Sequence, residues 1–504
     1  MSAVTGKNAI ANLIGSLSGP LIGLVMTPFY LRKIGLEGLG LIGLMALISA
    51  MLGVFVAGAG KTYQRDVSAA QATAREDLSG LIKGGLLLFG GLGLTLGTCV
   101  LLFGHNQIHE MAAGTRFTAA VVDRCLIIIS LLLALGVLSG AISSTLVALR
   151  DQVWPSTLGI AVSIVTAVAS WLALTRYPRV DVFYLCQLGG TTISICGLAA
   201  RCRWVMRHNS AGISSRSIRD AWRDKIKNSG RLSFILIVHE GLGILITQID
   251  RLLVTSHFPL ASLGAYNLGA NPARFAGIFT TPINTATYPE LCRLASGQAT
   301  RQVIGEYLGR ISFIMVLLFS CGMIVLIPSA ADLLAIWLGA DNVPPHAATC
   351  FTLLSAGYLL LAVAGPSYNL TVAFGKVGYG IPKNVLSLLI LPPLGILFIK
   401  LWGLPGVALV PVIYACNCIL ICGWFAYHRH GDIRSSLRWI GGGVGSLAVA
   451  GAIAYGLTNS ALSGWYRLGL SCVCSTGFLL VVVIRYFGGR PKAWLHALEI
   501  HPAA

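Results

Sequence analysis

Residues 125–146 read CLIIISLLLALGVLSGAISSTL. The run carries no charged side chain, and its apolar residues fall on every face of a helix rather than in one stripe. As a helix it would be about 33 Å long, enough to cross the hydrocarbon core of a bilayer. A core helix of a soluble protein is shorter or has one polar face, so this segment is read as a membrane span. Asp123 and Arg124 stand at its start, where charges meet the interface.

Working outward, the same kind of segment recurs. Spans are expected at 9–31, 38–60, 84–104, 120–146, 154–175, 182–200, 232–256, 263–287, 309–328, 347–370, 384–400, 405–426, 439–457 and 467–486. Polar breaks between them are short, as in a polytopic bundle. Composition agrees. Of 504 residues 55% are hydrophobic and 11% charged, with a mean hydropathy of +0.78. Soluble domains carry about 25% charged residues, so no soluble domain of any size has room here. The 59 glycines suit closely packed membrane helices. The first apolar stretch runs past Pro20 and Pro28 towards Tyr30, too long for a cleavable signal. The expectation is an all-α membrane protein of about fourteen transmembrane helices.

Basic residues set the orientation. With the N-terminus inside, the inner segments hold Lys7, Lys61, Arg65, Arg75, Lys83, Arg150, nine basic residues between Arg201 and Arg231, and further groups at 293–310, 376–383, 429–438 and 485–492. The outer loops hold only Arg32, Lys33, Arg116, Arg176, Arg179, Lys400 and Arg467. This asymmetry predicts both termini inside and an even number of helices. It also accounts for the net charge of +18, through attraction to anionic headgroups. The basic segment 201–231 lacks aromatic platforms or a recognition motif, so nucleic acid is not the expected partner.

That segment is also the longest break, which suggests four parts: an N-lobe of helices 1–6 (1–200), a basic cytoplasmic hinge (201–231), a C-lobe of helices 7–12 (232–430), and helices 13–14 with a short tail (431–504). A weak internal repeat supports two pseudo-repeated six-helix lobes. Leu39-Gly40-Leu41-Ile42-Gly43-Leu44 and Leu263-Gly264-Ala265-Tyr266-Asn267-Leu268 share the pattern L-G-x-x-x-L at the openings of the second and eighth spans. Paired repeats of this kind place substrate sites at their interface in many transporters.

Charges within spans cost about 2.5–3.5 kcal/mol each on insertion scales, so they need a reason. On the seventh span Glu240, Gly243, Thr247 and Asp250 share one helical face, flanked by His239 and Arg251. On the eighth, Asn267, Asn271, Arg274, Gly277 and Thr281 form a matching stripe, interrupted by Pro272 and Pro282. Two such stripes can line a wet cavity, and Arg274 is the deepest charge. A guanidinium offers a planar fork to phosphate or carboxylate. The competing reading has Asp250 and Arg251 near a helix end, reaching headgroups or pairing only to be tolerated. Glu240 and His239 suit either a proton-linked role or ordinary cavity polarity. Gly15, Gly19 and Gly23 repeat every fourth residue above Asn8 and Asn12, a pattern expected to serve close helix packing.

Catalysis has little support. There is no phosphate-binding loop G-x-x-x-x-G-K-[ST], no G-x-S-x-G and no H-E-x-x-H. The thirteen cysteines include no CxxC pair and no cysteine–histidine cluster with zinc spacing, so neither a metal nor a redox role is expected of them. No cofactor is expected.

Three stretches resemble the Wzx-type polysaccharide flippases, within the superfamily that also holds multidrug and toxin extruders and lipid II flippases. They are PFYLRKIGLEGLG (28–40), TQIDRLLVTSHFPLASLGAYNLGANPARFAGIFTTPINTATYPELCR (247–293) and DLLAIWLGADNVPPHA (332–347). The resemblance implies translocation of undecaprenyl-pyrophosphate-linked oligosaccharide from the cytoplasmic to the periplasmic leaflet of the bacterial inner membrane, by alternating access of two lobes. It implies coupling to a proton or sodium ion, contact with membrane lipids, and work beside polysaccharide polymerase and export proteins. Carried over, Arg274, Arg251, Asp250 and Glu240 would line the C-lobe half of a basic cavity. The N-lobe departs from that pattern in having only Arg124, near one span end. Lys61 and Arg65 at the cytoplasmic entrance would share headgroup contact. The alternatives are a multidrug exporter of the same fold, disfavoured by the absence of an acidic residue before Leu36, and a membrane glycosyltransferase or polymerase, disfavoured by the lack of large outer loops and paired carboxylates.

Overall fold

A computed structural model describes residues 3–73, 78–112, 115–149, 151–209, 234, 238–239, 241–275, 281–296, 299–374 and 380–487. Among them there is no strand, and eleven helical stretches are long and apolar enough to cross a membrane. The chain divides into two compact units. Unit 1 comprises Met1–Gln248 with Pro259–Gly264, and unit 2 comprises Ile249–Phe258 with Ala265–Ala504.

Unit 1 is built from α1 (Ala3–Thr73), α2 (Leu78–Ala112), α3 (Ala119–Ala148), α4 (Val153–Arg176) and α5 (Val180–Asn209). The first two expected spans are not separated by a loop. They are two arms of α1 that meet at Gly35, whose φ of 72° is open to glycine at little cost. The break frees the carbonyl of Ile34, and the Arg116 guanidinium donates to it. Arg116 also binds Glu37 through its backbone N–H at 3.1 Å. A single glycine with a borrowed cap therefore replaces the expected connection.

Glycine also sets how closely the helices pack. A Cβ at Gly93 would lie 2.6 Å from the Ala134 carbonyl oxygen, and one at Gly97 would lie 2.5 Å from that of Ser130. Backbone thus meets backbone where α2 crosses α3. By contrast, a Cβ at Gly19 or Gly23 would meet nothing within 4 Å, so the expected packing role of that stripe is not seen among the described residues. Residues expected on one side gather at one end of the unit. Arg116 lies with Glu37, and Arg124 with Asp181. At the other end Arg201 donates to Asp151 at 2.6 Å and stacks over Trp204. Residues 201–209 of the expected hinge continue α5 as helix, and 210–231 lie outside the described residues.

The repeat pattern meets itself within unit 1. A Cβ at Gly40 would fall 2.0 Å from the Leu260 carbonyl oxygen, and one at Gly264 would fall 2.2 Å from that of Leu36. The two contacts are reciprocal, each glycine lying on the carbonyl one turn before the other. Both positions are glycine because no side chain fits.

Unit 2 contains α6 (Ile249–His257), the rest of α7 (Leu260–Ala273), α8 (Thr281–Ser296), α9 (Arg301–Leu338), α10 (Ala347–Ala373), α11 (Gly380–Trp402), the single turn α12 (Leu404–Val407), α13 (Val410–Phe425), α14 (Ile433–Thr458) and α15 (Gly464–Phe487). Of the expected eighth span, residues 263–273 lie in α7 and 281–287 in α8, and 276–280 lie outside the described residues. Pro272 stands in the last turn of α7, where it cannot donate to the helix ladder. The expected seventh span is interrupted, with a turn at 247–248 separating helical residues 241–246 from α6.

The last two helices pack on α9. Ser436 donates to the Gly305 carbonyl at 2.5 Å and Ser475 to that of Cys321 at 3.0 Å. Phe313, Leu317, Ile324, Trp439, Ala450 and Phe478 form the core between them. Outward faces remain apolar, as at Leu87, Leu102, Phe103, Leu389, Val473 and Val481. In water such faces would be a liability. Against lipid tails they are the expected surface.

Candidate functional site

Asp250, Arg251 and Arg274 converge at α6, α7 and α10. Gly269 starts the arrangement. A Cβ there would lie 2.9 Å from the Phe351 nitrogen and 3.0 Å from the Ala347 carbonyl oxygen, so α7 lies directly on α10. That contact fixes the flanking residues of α7. Asn267, Asn271 and Arg274 follow at helical spacing, and Tyr358 of α10 accepts a hydrogen bond from Arg274 Nε at 3.3 Å.

On α6, Asp250 and Arg251 are 2% and 4% exposed. This burial removes the reading in which they reach out to headgroups. The fully buried Tyr266 donates to Asp250 Oδ2 at 2.7 Å. Arg251 Nη2 donates to Asn271 Oδ1 at 3.5 Å, the outer limit of a hydrogen bond. The group is only partly satisfied. Asp250 Oδ1, Arg251 Nε and both amide atoms of Asn267 are buried without a hydrogen-bond partner among the described residues. A buried polar atom left unmade costs about 1–3 kcal/mol, more where it is charged. Four such atoms on two helices leave hydrogen-bonding capacity unused among the described residues.

Arg274 differs from Arg251. It is exposed, as is Asn271, while Arg251 is sealed in. The two guanidiniums repel one another, and the Asp250 carboxylate and the Tyr358 and Tyr266 phenols lie in the same electrostatic neighbourhood. The arrangement is an open cation backed by a buried arginine, a buried carboxylate and two phenols. It can hold an anionic oxygen with a planar fork without burying an uncompensated charge.

The remaining expected residues fall elsewhere. His239 is buried in unit 1, and Glu240 lies outside the described residues. Lys61 and Arg65 lie one turn apart on α1, and their side chains are outside the described residues. Arg124 belongs to a separate cluster in unit 1. Its Nε lies 3.2 Å from Asp181 Oδ2, and Arg179 binds the same carboxylate with two N–H groups at 2.5 and 3.1 Å. The bond to Asp181 holds the Arg179 guanidinium above its ordinary pKa.

Lys383, expected in a cytoplasmic segment, is instead buried in the first turn of α11. Its Nζ lies 3.3 Å from Cys418 Sγ and sits over the rings of Tyr414 and Tyr368. Tyr266 and Tyr358 were not singled out in the sequence. Their hydroxyls matter through contacts made across helices, which no spacing rule displays. Only the position of Tyr266 between Gly264 and Asn267, inside the repeat pattern, gave a signal.

A model of the family described as polysaccharide biosynthesis protein matches residues 5–295. No curated protein matches the chain in sequence. The fold is similar to that of lipid II flippase MurJ in an inward closed conformation, with a TM-score of 0.71 and 14% identity over 95% of this chain and 98% of that one. The Vibrio cholerae MATE transporter VcmN in its bent form gives a TM-score of 0.54 with 17% identity over 87% and 99%. A transporter of the MOP superfamily from Pyrococcus furiosus gives 0.53 with 13% identity over 89% and 96%. These structural likenesses show a shared transporter fold.

Proposed function

Because the chain belongs to the polysaccharide biosynthesis protein family, we propose that it translocates an undecaprenyl-pyrophosphate-linked oligosaccharide from the cytoplasmic to the periplasmic leaflet of a bacterial inner membrane. The observation that carries this reading is the exposed Arg274, bonded to Tyr358 and backed by the buried Arg251, Asp250 and Tyr266. A pyrophosphate is the polar, doubly charged part of such a substrate. Crossing the hydrocarbon without a partner is prohibitive for it.

In this mechanism Arg274 receives a phosphate oxygen through its guanidinium, and the Tyr358 hydroxyl turns to donate to a second. Arg251 adds positive potential from behind, and Asp250 keeps the site from becoming so cationic that the anion cannot leave. The lipid tail stays in the bilayer while the headgroup and sugars pass in an alternating-access cycle. The cycle is coupled to a proton or sodium ion, and we assign that ion to Asp250 Oδ1, a buried carboxylate oxygen with no hydrogen-bond partner among the described residues. Polysaccharide polymerase and export proteins take the glycan onward.

A multidrug exporter of the same fold is the second reading. Against it stands the absence of an acidic residue before Leu36. The test is glycan display in cells that depend on this protein. Arg274→Ala at matched expression abolishes display if the reading is right. Full display by that variant overturns it.

A further inference from the structure

We propose that His105, His109 and Asp123 form a binding site for a Zn2+-class dication at the end of unit 1 that the charge distribution places outside. His105 and His109 are one turn apart on the same face of α2, and Asp123 is in the second turn of α3. Asp123 Oδ1 lies 2.7 Å from His109 Nε2 and 3.5 Å from His105 Nδ1, and one ligand atom from each residue falls within 4.8 Å of the others. Zinc takes nitrogen and oxygen at about 2.0–2.2 Å in a tetrahedron, which spaces its ligand atoms about 3.3 Å apart. The three donors thus need only small side-chain movements to close on one ion, leaving a fourth position for water.

The two helices under the site are held close together. At Gly93 and Gly97 α2 lies on the backbone of α3 at Ala134 and Ser130. Nearer the site Ile108 of α2 and Val122, Cys125 and Leu126 of α3 are buried, and His109 reaches Asp123 across the pair. Arg124, next to Asp123, would oppose a cation, but its guanidinium is drawn to Asp181. Two imidazoles and a carboxylate favour zinc and its neighbours over magnesium or calcium, which take oxygen ligands. The bland alternative is a carboxylate paired with a protonated histidine, which would hold no metal.

Full-length protein purified on a tag without histidine and stripped with chelator separates the two. Titration with Co2+ is expected to give visible d–d absorption that saturates at one equivalent and is displaced by Zn2+. His109→Gln and Asp123→Asn are each expected to weaken binding by about tenfold or more, since even outer-shell changes cost that much at metal sites. His105→Gln with His109→Gln is expected to abolish it. Zn2+ is also expected to raise the thermal unfolding midpoint of the wild type and not that of the double variant. All three variants are to be checked as monodisperse and helical, so that misfolding is read directly. Absence of saturable Co2+ binding, or binding unchanged in the folded double variant, overturns the proposal.

Discussion

Arg274 and Arg251 carry the same charge and differ in what they are free to do. Arg274 is exposed with one weak bond to Tyr358, whereas Arg251 is enclosed and aimed at Asn271. Replacing each should therefore fail differently. Arg274→Ala should leave the folded protein as stable as the wild type and lose glycan display. Arg274→Lys should keep part of that display, because charge is retained while the fork is lost. Arg251→Ala should lower stability as well, since it leaves the buried Asp250 without its neighbouring cation. Tyr266→Phe removes one bond to a buried carboxylate. It should cost about 1–3 kcal/mol, read from the midpoint of thermal unfolding in detergent.

Between residues and the bundle lie the helices, where glycine decides what can touch. Gly40 and Gly264 rest on carbonyls of Leu260 and Leu36, and Gly97 rests on that of Ser130. Gly40→Val or Gly264→Val should force those helices apart and cost at least the roughly 1–3 kcal/mol typical of overpacking, read as a lower unfolding temperature. The same change at Gly23, where a Cβ meets nothing, should be close to neutral. This contrast shows what the chain reveals on its face. The L-G-x-x-x-L pattern was legible at 39–44 and 263–268, and those glycines do meet. The stripe at 15, 19 and 23 looked just as regular, yet its described members touch nothing. Spacing places residues on a face but does not say what the face meets. The break at Gly35 is local backbone chemistry, one positive-φ residue standing where a loop was expected.

Across the whole molecule, apolar content alone set the class, because no other solvent accepts so many outward-facing Leu, Val and Phe side chains. The candidate site was legible only in part. Asp250, Arg251, Asn267, Asn271 and Arg274 stood out because charge and amide groups are costly in a span. Tyr266 and Tyr358 did not, because tyrosine is ordinary in membrane helices and its partner lies on another one. Lys383 was expected in the break just before a span and is instead buried in the first turn of α11, because sequence cannot separate a loop from a helix start there. The expected orientation has a direct check. In a cysteine-depleted background, Tyr177→Cys should react with an impermeant maleimide added outside intact cells. Arg203→Cys should react only after the membrane is opened. The reverse pattern would invert the topology.

The central claim is that this chain moves an anionic lipid-linked glycan across the membrane, with Arg274 holding the headgroup. The most direct measurement is the leaflet distribution of lipid-linked repeat units in spheroplasts, read with an impermeant glycan-modifying probe. The account predicts that wild-type cells expose these units to the probe. Cells lacking the protein, or carrying Arg274→Ala at matched expression with no other flippase for the same glycan, should keep them protected on the inner leaflet. Equal exposure in all three strains would contradict it.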